Sequence, residues 1–300
     1  MERTPLMKNT ESQTPSAVIP TASVVMTTFR SPRYLRRVLD GFANQTNSGG
    51  QPVAGFEIVV GEDGQTPETK SVIDEFQSMA RFRVRYVTQP HEGFGKTRIL
   101  NRAIDAAEGD YLIFTDGDCV PHSLFMANHL EYATPGRFLS GGCIRLPRPI
   151  TNQILDGERS HAEHTVASQL RSDGVSLSSK WLWIERFPML ASWFDRMTTT
   201  KPTFNGHNAS AWREDVLRAN GFNLEMRYGG LDRELGERLE NAGVLGTQVR
   251  HRAICFHLDH DRGYVNKEDW KRNHQIRKRV RNDGVTRAAH GLEEVRSIAG

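Results

Sequence analysis

The chain has 300 residues, 37% of them hydrophobic, which is enough to bury the core of one large or two small domains. Its formal net charge of +3 does not by itself imply a nucleic-acid partner, and no apolar stretch is long enough to span a membrane. The three cysteines, Cys119, Cys143 and Cys255, form no C-x-x-C pair. This spacing argues against a disulfide framework or a structural zinc site and favours a reducing cytoplasm.

Residues 1–20 are rich in Thr, Ser, Pro and Asn and contain no charged segment followed by an apolar run. The composition predicts a disordered arm rather than a signal peptide. The segment "ASVVMTT" (22–28) then predicts a strand, and Ser31 is expected to cap a helix that begins at Pro32.

The same alternation of strand and helix continues from "FEIVV" (56–60) to a helix opened by Thr66 and Pro67, with Val72, Ile73, Phe76 and Met79 on its apolar side. "VRYVT" (84–88) leads to a third helix, which Gly109 is expected to stop, and "YLIFT" (111–115) is the fourth strand. Four β-then-α units of roughly 30 residues predict an α/β fold, Rossmann-like, with a mostly parallel sheet and helices on both faces.

Polar residues follow three of these strands: Thr27 after the first, Glu62 and Asp63 after the second, and Asp116 and Asp118 after the fourth. Ligands bind outside the carboxyl ends of such strands. Residues two apart on an extended backbone point to the same side, so Asp116 and Asp118 are expected to share one hard cation, Mn²⁺ or Mg²⁺, although Asp-Gly-Asp is also a common turn.

Lys96 and Arg98, at the start of the third helix, are candidates to bind a diphosphate at the same edge; the alternative is a solvated first turn. A dinucleotide-binding domain is disfavoured, because the first strand is followed by "TTFRSPR", which has no glycine. A P-loop is disfavoured too, since Pro90 stands where the first glycine of that motif belongs.

The second half contains a helix from about Arg213 to Ala219, ended by Asn220 and Gly221, and a further helix with Asp232 in its first turn. A carboxylate there stays ionised, which suits a catalytic base and equally suits a residue that only complements the helix dipole. An apolar stretch then delivers His257 and His260, which are either metal ligands or structural histidines.

Five segments, in order and at family spacing, resemble glycosyltransferase family 2, which has the GT-A fold. They are "SVVMTTFRSPRYLRRVLDGFANQT", "IVVGEDGQ", "GFGKTRILNRAIDAAEGDYLIFTDGDCVP", "GHNASAWREDVLRANGF" and "GGLDRELGERLENAG". The last is similar to the "GGED" region of galactosyltransferase-type enzymes.

The resemblance implies that Thr27, Glu62 and Asp63 hold the nucleoside, and that Asp116 and Asp118 hold the metal and the diphosphate. It also implies that Asp232 is the catalytic base. Leu231 replaces the first acid of "GGED", which contacts acceptor hydroxyls in similar enzymes. The metal histidine of the family falls on His257 or His260, and the pattern does not choose between them.

The predicted function is an inverting, metal-dependent transfer of a sugar from a nucleotide-sugar donor, UDP-linked, to a hydroxyl of a glycan, a lipid-linked or a small-molecule acceptor. A sugar-nucleotide nucleotidyltransferase and a non-catalytic carbohydrate-binding protein are the alternatives. After the arm, three parts of the chain are predicted: a donor half (21–143), an acceptor and catalytic-base half (144–265) and a basic helical tail (266–300).

Residues 144–203, with Trp181, Trp183 and Trp193, are expected to form the acceptor region, where the indoles either stack on a sugar or lipid or pack into the core. The tail segment 270–283 is either a solvated helix or one whose basic face rests on anionic lipid at the inner face of a membrane. The expected location is cytoplasmic.

Overall fold

A computed structural model of the protein describes residues 21–161, 167–174, 188–261 and 266–299. The predicted arm 1–20 and two of the acceptor-region tryptophans, Trp181 and Trp183, lie outside the described residues. The strands are β1 (Ala22–Thr28), β2 (Phe56–Asp63), β3 (Arg83–Gln89), β4 (Tyr111–Asp116), β5 (Cys119–Pro121), β6 (Arg137–Ser140), β7 (Gly142–Arg145), β8 (Asn208–Trp212), β9 (Leu245–Gln248) and β10 (Ile254–His257).

Helices connect most of these strands. They are α1 (Pro32–Ala43), α2 (Pro67–Met79), α3 (Lys96–Ala106), α4 (Phe125–Glu131), α5 (Arg148–Asp156), α6 (Ala167–Ser172), α7 (Pro188–Met197), α8 (Arg213–Arg218), α9 (Leu231–Asn241), α10 (Lys267–Asn282) and α11 (Leu292–Ala299). No helix among the described residues is long and apolar enough to cross a membrane.

The main sheet has the strand order β3-β2-β1-β4-β8-β6-β9. The first four strands in this order are parallel, as the sequence predicts, and β8 is antiparallel to both of its neighbours. In the register, Thr27 pairs with Asp116 and Thr28 pairs with Glu62, so three strands end at the same level. The polar residues that follow them therefore meet at one edge.

Both faces of the main sheet are covered by helices, which confirms the predicted layer arrangement. Alternate residues of β1 point to opposite sides: Val24 packs in the cluster that contains α1 and α2, and Val25 packs in the cluster that contains α3. Every residue of β1 is buried, as expected for a parallel strand covered on both faces.

Three local details differ from the prediction. The Ser31 hydroxyl donates to the Phe29 carbonyl instead of capping α1, because the turn before the helix brings that carbonyl within 2.8 Å. Met79 is 63% exposed. Helix α3 ends at Ala106, three residues before Gly109, and Gly109 instead lies so close to the β1 backbone that a Cβ would be 2.6 Å from the Ser23 nitrogen.

A second, three-stranded sheet has the order β5-β10-β7 and lies at the same end of the molecule as the polar edge. Its register places Cys255 opposite Cys143 and His257 opposite Cys119. The three thiols therefore lie together, and Cys255 hydrogen-bonds both of the others. Their sequence spacing did not predict this cluster, because it forms across strands that come from three distant segments.

The predicted helices of the second half are present. The left-handed backbone of Asn220 (φ 62°) and Gly221 (φ 64°) ends the segment of α8, and α9 begins at Leu231 with Asp232 in its first turn. The tail segment forms α10, whose N-cap Asn266 accepts a hydrogen bond from the Glu268 backbone.

Candidate active site

A cavity of about 1100 Å³ opens at the carboxyl ends of the parallel strands. Its walls come from both halves of the chain: β1, β4 and α3 supply one side, and β7, β10 and the segments before β8 and α9 supply the other. The cavity is large enough for a nucleotide-sugar and part of an acceptor. It contains most of the side chains that the sequence singled out.

Asp116 lies on the donor side of the cavity, between a lysine and a threonine. Its Oδ1 accepts hydrogen bonds from Lys96 Nζ at 2.7 Å and from Thr27 Oγ1 at 3.4 Å. Burial alone would lower the pKa of Lys96, but the charge of Asp116 and its hydrogen bond raise it above the ordinary value, with smaller contributions from Asp118 and Asp232. Lys96 is therefore a fixed positive charge at this edge.

Asp118 faces the two late histidines across the cavity floor. Its Oδ2 is 2.9 Å from His260 Nε2 and 3.8 Å from His257 Nε2, and the two imidazole rings are stacked with centroids 5.3 Å apart. Burial raises the pKa of Asp118, but the hydrogen bond from His260 and the charges of His257 and Lys96 outweigh it and hold the pKa at about 2. Both histidines therefore lie near the Asp118 carboxylate. Their positions do not decide which of the two would bind a metal.

The chemistry of this donor set fits a hard or borderline divalent cation. Asp118, Cys119 and His257 place one ligand atom each within 4.8 Å of one another. The Cys119 thiol donates to Asp118 Oδ1 at 3.3 Å. The hydrogen bond from Cys255 lowers the pKa of Cys119, but burial and the charge of Asp118 raise it well above the ordinary value, so this sulfur stays protonated. Carboxylate oxygens and imidazole nitrogens then remain, the ligands that suit Mn²⁺.

Asp63 lines the cavity beside β1, and three groups fix its carboxylate. Gln89 Nε2 donates to Oδ1 at 2.8 Å, the Gly95 backbone donates to Oδ2 at 3.1 Å, and His91 Nδ1 is 3.2 Å from Oδ2. His91 also lies against the exposed ring of Phe29, with centroids 4.8 Å apart. This side of the cavity therefore presents the fixed Asp63 carboxylate next to the rings of Phe29 and His91.

Two predicted donor residues are not among those that line the cavity. Glu62 is fully buried, and its carboxylate accepts hydrogen bonds from Thr66, Thr69 and Tyr86, so it anchors the start of α2. Arg98 is exposed on the outer side of α3, because the helix turns its third residue away from the edge that Lys96 faces. Their binding roles stay predictions.

Asp232 lies beside the cavity, between the lining residues His207 and Arg233. Its Oδ2 accepts a hydrogen bond from the Gly206 backbone amide at 2.9 Å, and its Oδ1 accepts one from the Arg233 backbone amide at 2.9 Å. Burial lowers the pKa of His207, but its hydrogen bond to Cys143 and the charges of Asp116 and Asp232 raise it overall. Asp232 thus lies next to two residues that line the cavity.

Glu234, the next acid along α9, has a different environment. Its side chain is fully buried, and its oxygens accept hydrogen bonds from Arg238 Nε at 3.0 Å and Nη2 at 2.8 Å. A carboxylate paired in this way is unavailable to an acceptor in the cavity. Leu231, where the resemblance expects an acid, is buried in the core beneath α9.

Sequence reasoning missed several residues that line the cavity. Phe29 and His91 belong to loops with no regular pattern, and Arg145, Arg233 and Arg250 come from three separate segments of the second half. The only signal for the arginines is their place next to predicted strand ends or glycine turns, which is too common to be diagnostic.

Comparison with known proteins assigns the chain to a family. Residues 23–179, just over half of the chain, match the model of Glycosyl transferase family 2. Validoxylamine A glucosyltransferase of Streptomyces hygroscopicus subsp. jinggangensis is 28% identical over 243 residues, which are 77% of this chain and 54% of that protein. Chondroitin synthase of Escherichia coli is 25% identical over 81% of this chain and 35% of that protein. The chain therefore spans about half the length of these relatives or less.

Solved structures share the fold at low identity. Mannosyltransferase PcManGT from Pyrobaculum calidifontis, solved with GDP-Man and Mn²⁺, has a TM-score of 0.54 and 20% identity over 83% of this chain and 59% of its own. TarS of Staphylococcus aureus has a TM-score of 0.58 and 14% identity over 93% of this chain and 42% of its own. The fold is GT-A, and the chain belongs to glycosyl transferase family 2.

Proposed function

We propose that the protein is an inverting, divalent-metal-dependent glycosyltransferase. Its donor is a nucleotide-sugar, UDP-linked, and its acceptor is a hydroxyl of a glycan, a lipid-linked or a small-molecule compound. The observation that carries the proposal is that Lys96, Asp116 and Asp118 line one side of the cavity, while Asp232 lies next to the lining residues His207 and Arg233 on the other side. The names of the relatives, a glucosyltransferase and a chondroitin synthase, agree with sugar transfer.

On the donor side, Thr27 and Asp63 are proposed to hold the nucleoside, and Lys96 to pair with the diphosphate. Asp116, Asp118, His257 and His260 would hold Mn²⁺ or Mg²⁺, in agreement with the Mn²⁺ of PcManGT. When bound, the ion offsets the charge that grows on the leaving diphosphate. Lys96 adds a second positive charge at the same edge, since Asp116 keeps it protonated.

On the acceptor side, Asp232 is proposed to take the proton of the attacking hydroxyl. The carboxylate is held by backbone donors and forms no ion pair with the described residues, so no salt bridge keeps it from the acceptor. Attack from the side opposite the diphosphate is a single displacement, which inverts the anomeric centre.

The two alternatives differ in their products. A nucleotidyltransferase would release pyrophosphate from a nucleoside triphosphate, and a carbohydrate-binding protein would release nothing. The Asp116–Asp118 pair in the cavity, with Asp232 next to the lining residue Arg233, favours transfer over mere binding.

The decisive experiment offers the protein a panel of UDP-, GDP- and TDP-sugars with Mn²⁺, measures thermal stabilisation, and then measures release of nucleoside diphosphate with and without EDTA. We expect one donor class to stabilise the protein and to be cleaved only with the metal. NMR of the product gives the anomeric configuration, and retention would contradict the single displacement. Pyrophosphate release from a nucleoside triphosphate would instead favour the nucleotidyltransferase.

A further inference from the structure

The turn that precedes α9 is held by side chains of α10, and Asn273 makes most of its hydrogen bonds. Asn273 of α10 is 1% exposed, and its Nδ2 lies 2.9, 3.0 and 2.9 Å from the carbonyl oxygens of Arg227, Tyr228 and Gly229. Its Oδ1 accepts a hydrogen bond from the Arg227 backbone at 3.2 Å. An amide nitrogen carries two hydrogens, so two of the three carbonyls share one of them.

This turn has a backbone that needs external support. Gly229 and Gly230 have φ values of 103° and 83°, and Gly230 is the N-cap residue of α9, two positions before Asp232. Three consecutive carbonyls that point the same way repel one another unless a donor faces them. Asn273 supplies that donor from a buried side chain to three partly buried carbonyls.

Two further contacts of α10 converge on the same turn. The indole of Trp270 lies so close to Gly229 that a Cβ there would be 2.7 Å from its ring, and Arg277 lies 3.2 Å from the corresponding position of Gly230. Arg277 Nη2 is also 2.6 Å from Glu237 on α9. Helix α10 therefore contacts both the turn and the helix α9 that carries Asp232.

We infer that Asn273 is a positioning residue for the proposed reaction: it fixes the Arg227–Gly229 carbonyls and thereby the place of Asp232 relative to the cavity. The inference rests on the proposed role of Asp232 as the base. It assigns α10, which lies beyond the part of the chain that matches the family model, to the catalytic apparatus. A displacement of a base by about 1 Å can cost on the order of a hundredfold in rate.

The test is Asn273→Asp, which keeps the size of the side chain but replaces the donor with a second oxygen facing three carbonyls. The matched control is Asn241→Ala. Asn241 also donates to two backbone carbonyls, those of Val280 and Val285, and so connects α9 to the segment of α10. It lies at the other end of α9, far from the turn. Asn273→Ser, which retains one donor, is the conservative variant.

We expect Asn273→Asp to lower the release of nucleoside diphosphate from the preferred donor by about tenfold or more. The affinity for nucleoside diphosphate with Mn²⁺, measured by calorimetry, stays within about twofold, since the donor side is untouched. Asn241→Ala keeps wild-type turnover, and Asn273→Ser lies between. In the Asp232→Asn background, Asn273→Asp costs nothing further, because a residue that acts through the base has no effect once the base is gone.

Three results would overturn the inference: turnover within twofold of wild type, an equal loss in the Asp232→Asn background, or a parallel loss of nucleotide affinity. Where Asn273→Asp does not fold, Asn273→Ser is carried through the same cycle. Hydrogen exchange of the amides of residues 227–233 gives a readout that needs no activity, and faster exchange is expected. If the wild-type protein cleaves no donor, the proposed function fails. Unchanged exchange of residues 227–233 in Asn273→Asp would then overturn the inferred role of Asn273 as well.

Discussion

Asp118 is the residue on which most contacts of the candidate metal site converge. One oxygen faces His260 and His257, the other accepts the Cys119 thiol, and its backbone carbonyl accepts the Leu258 amide at 2.9 Å. The carboxylate therefore already faces the two histidines with which it would share a bound cation. A group held this rigidly loses little entropy on binding.

The first prediction is that Asp118→Ala removes the Mn²⁺-dependent part of nucleoside diphosphate binding and abolishes transfer, because the site loses the ligand that the two histidines surround. Calorimetry with and without Mn²⁺ measures the affinity, and circular dichroism checks that the fold persists. Asp105→Ala, which removes a half-exposed carboxylate paired with Arg296 on the outer side of α3, is the control and should bind normally. Unchanged metal dependence in the Asp118 variant would show that the ion binds elsewhere.

The second prediction concerns Asp232. Asp232→Asn keeps the size of the side chain and its capacity to accept from Gly206, but removes the proton acceptor, so turnover should fall by about a hundredfold or more. Donor and metal affinity should be nearly unchanged. Steady-state kinetics together with calorimetry separate the two effects. Turnover within a few-fold of wild type would mean that another group is the base, and Glu234 is a poor substitute because Arg238 already pairs with it.

At the scale of elements, the buried Arg238, which pairs with Glu234 within α9, joins α9 to the end of α8. Arg238 is fully buried, and besides Glu234 it donates to the carbonyls of Ala219 and Gly221 at the end of α8. One guanidinium therefore donates to two carbonyls just beyond α8 and to a carboxylate of its own helix. This contact fixes α9, and with it the first turn that carries Asp232.

The third prediction follows from that burial. Arg238→Met removes the cationic partner of the buried Glu234 carboxylate, so we expect the free energy of unfolding to fall by about 3–5 kcal/mol. Lys70→Met is the matched control, because Lys70 and Asp74 form an ion pair of the same i,i+4 spacing that is more than half exposed, and its loss should cost about 0.3–0.5 kcal/mol. Urea unfolding measures both. Equal losses in the two variants would contradict the argument.

Elements of the parallel half were predictable from the sequence, since their local patterns and their tertiary environment agree. The segment of β1 was predicted at its observed bounds, because a β-branched run buried on both faces has few other solutions. The start of α2 at Pro67 was predicted too. The position of Asp116 and Asp118 after the fourth predicted strand was enough to place them at the edge where the cavity opens.

The elements that close the other side of the cavity were not predictable in the same way. The antiparallel insertion of β8 between β4 and β6 depends on pairing between distant segments, and a five-residue run carries no mark of its partner. The burial of Glu62, whose carboxylate accepts the hydroxyls of Thr66 and Thr69, was not predicted either, and its role in donor binding stays a prediction. Such outcomes depend on side-chain packing that no local pattern encodes.

At the scale of the whole molecule, the basic tail is partly neutralised by the fold. Arg277 and Arg281 both pair with Glu237, whereas Lys271, Arg272 and Lys278 are exposed on α10. The cationic surface that remains available to a membrane is therefore smaller than the sequence suggests. Contact with anionic lipid remains a proposal.

The fourth prediction tests that contact. Each exposed Lys or Arg near an anionic surface contributes about 1 kcal/mol, and salt screens the contribution. If the tail contacts a membrane, the protein should sediment with phosphatidylserine vesicles at low salt, be released at moderate salt, and lose binding when Lys271, Arg272 and Lys278 are all changed to Glu. Neutral vesicles are the control. No sedimentation with anionic vesicles at low salt would exclude the membrane role.

The assembly of the cavity from distant segments has a consequence for how the protein is made. Asp118 and His260 are separated by nearly half of the chain, and β5 has no partner in its sheet until β10 has been synthesised. While a nascent chain leaves the ribosome, the parallel half can form first, but closing the long loop to the last strand is slow. If Asp118 and His260 hold a metal and Asp232 is the base, as proposed, both capacities therefore arise only after β10 has been synthesised.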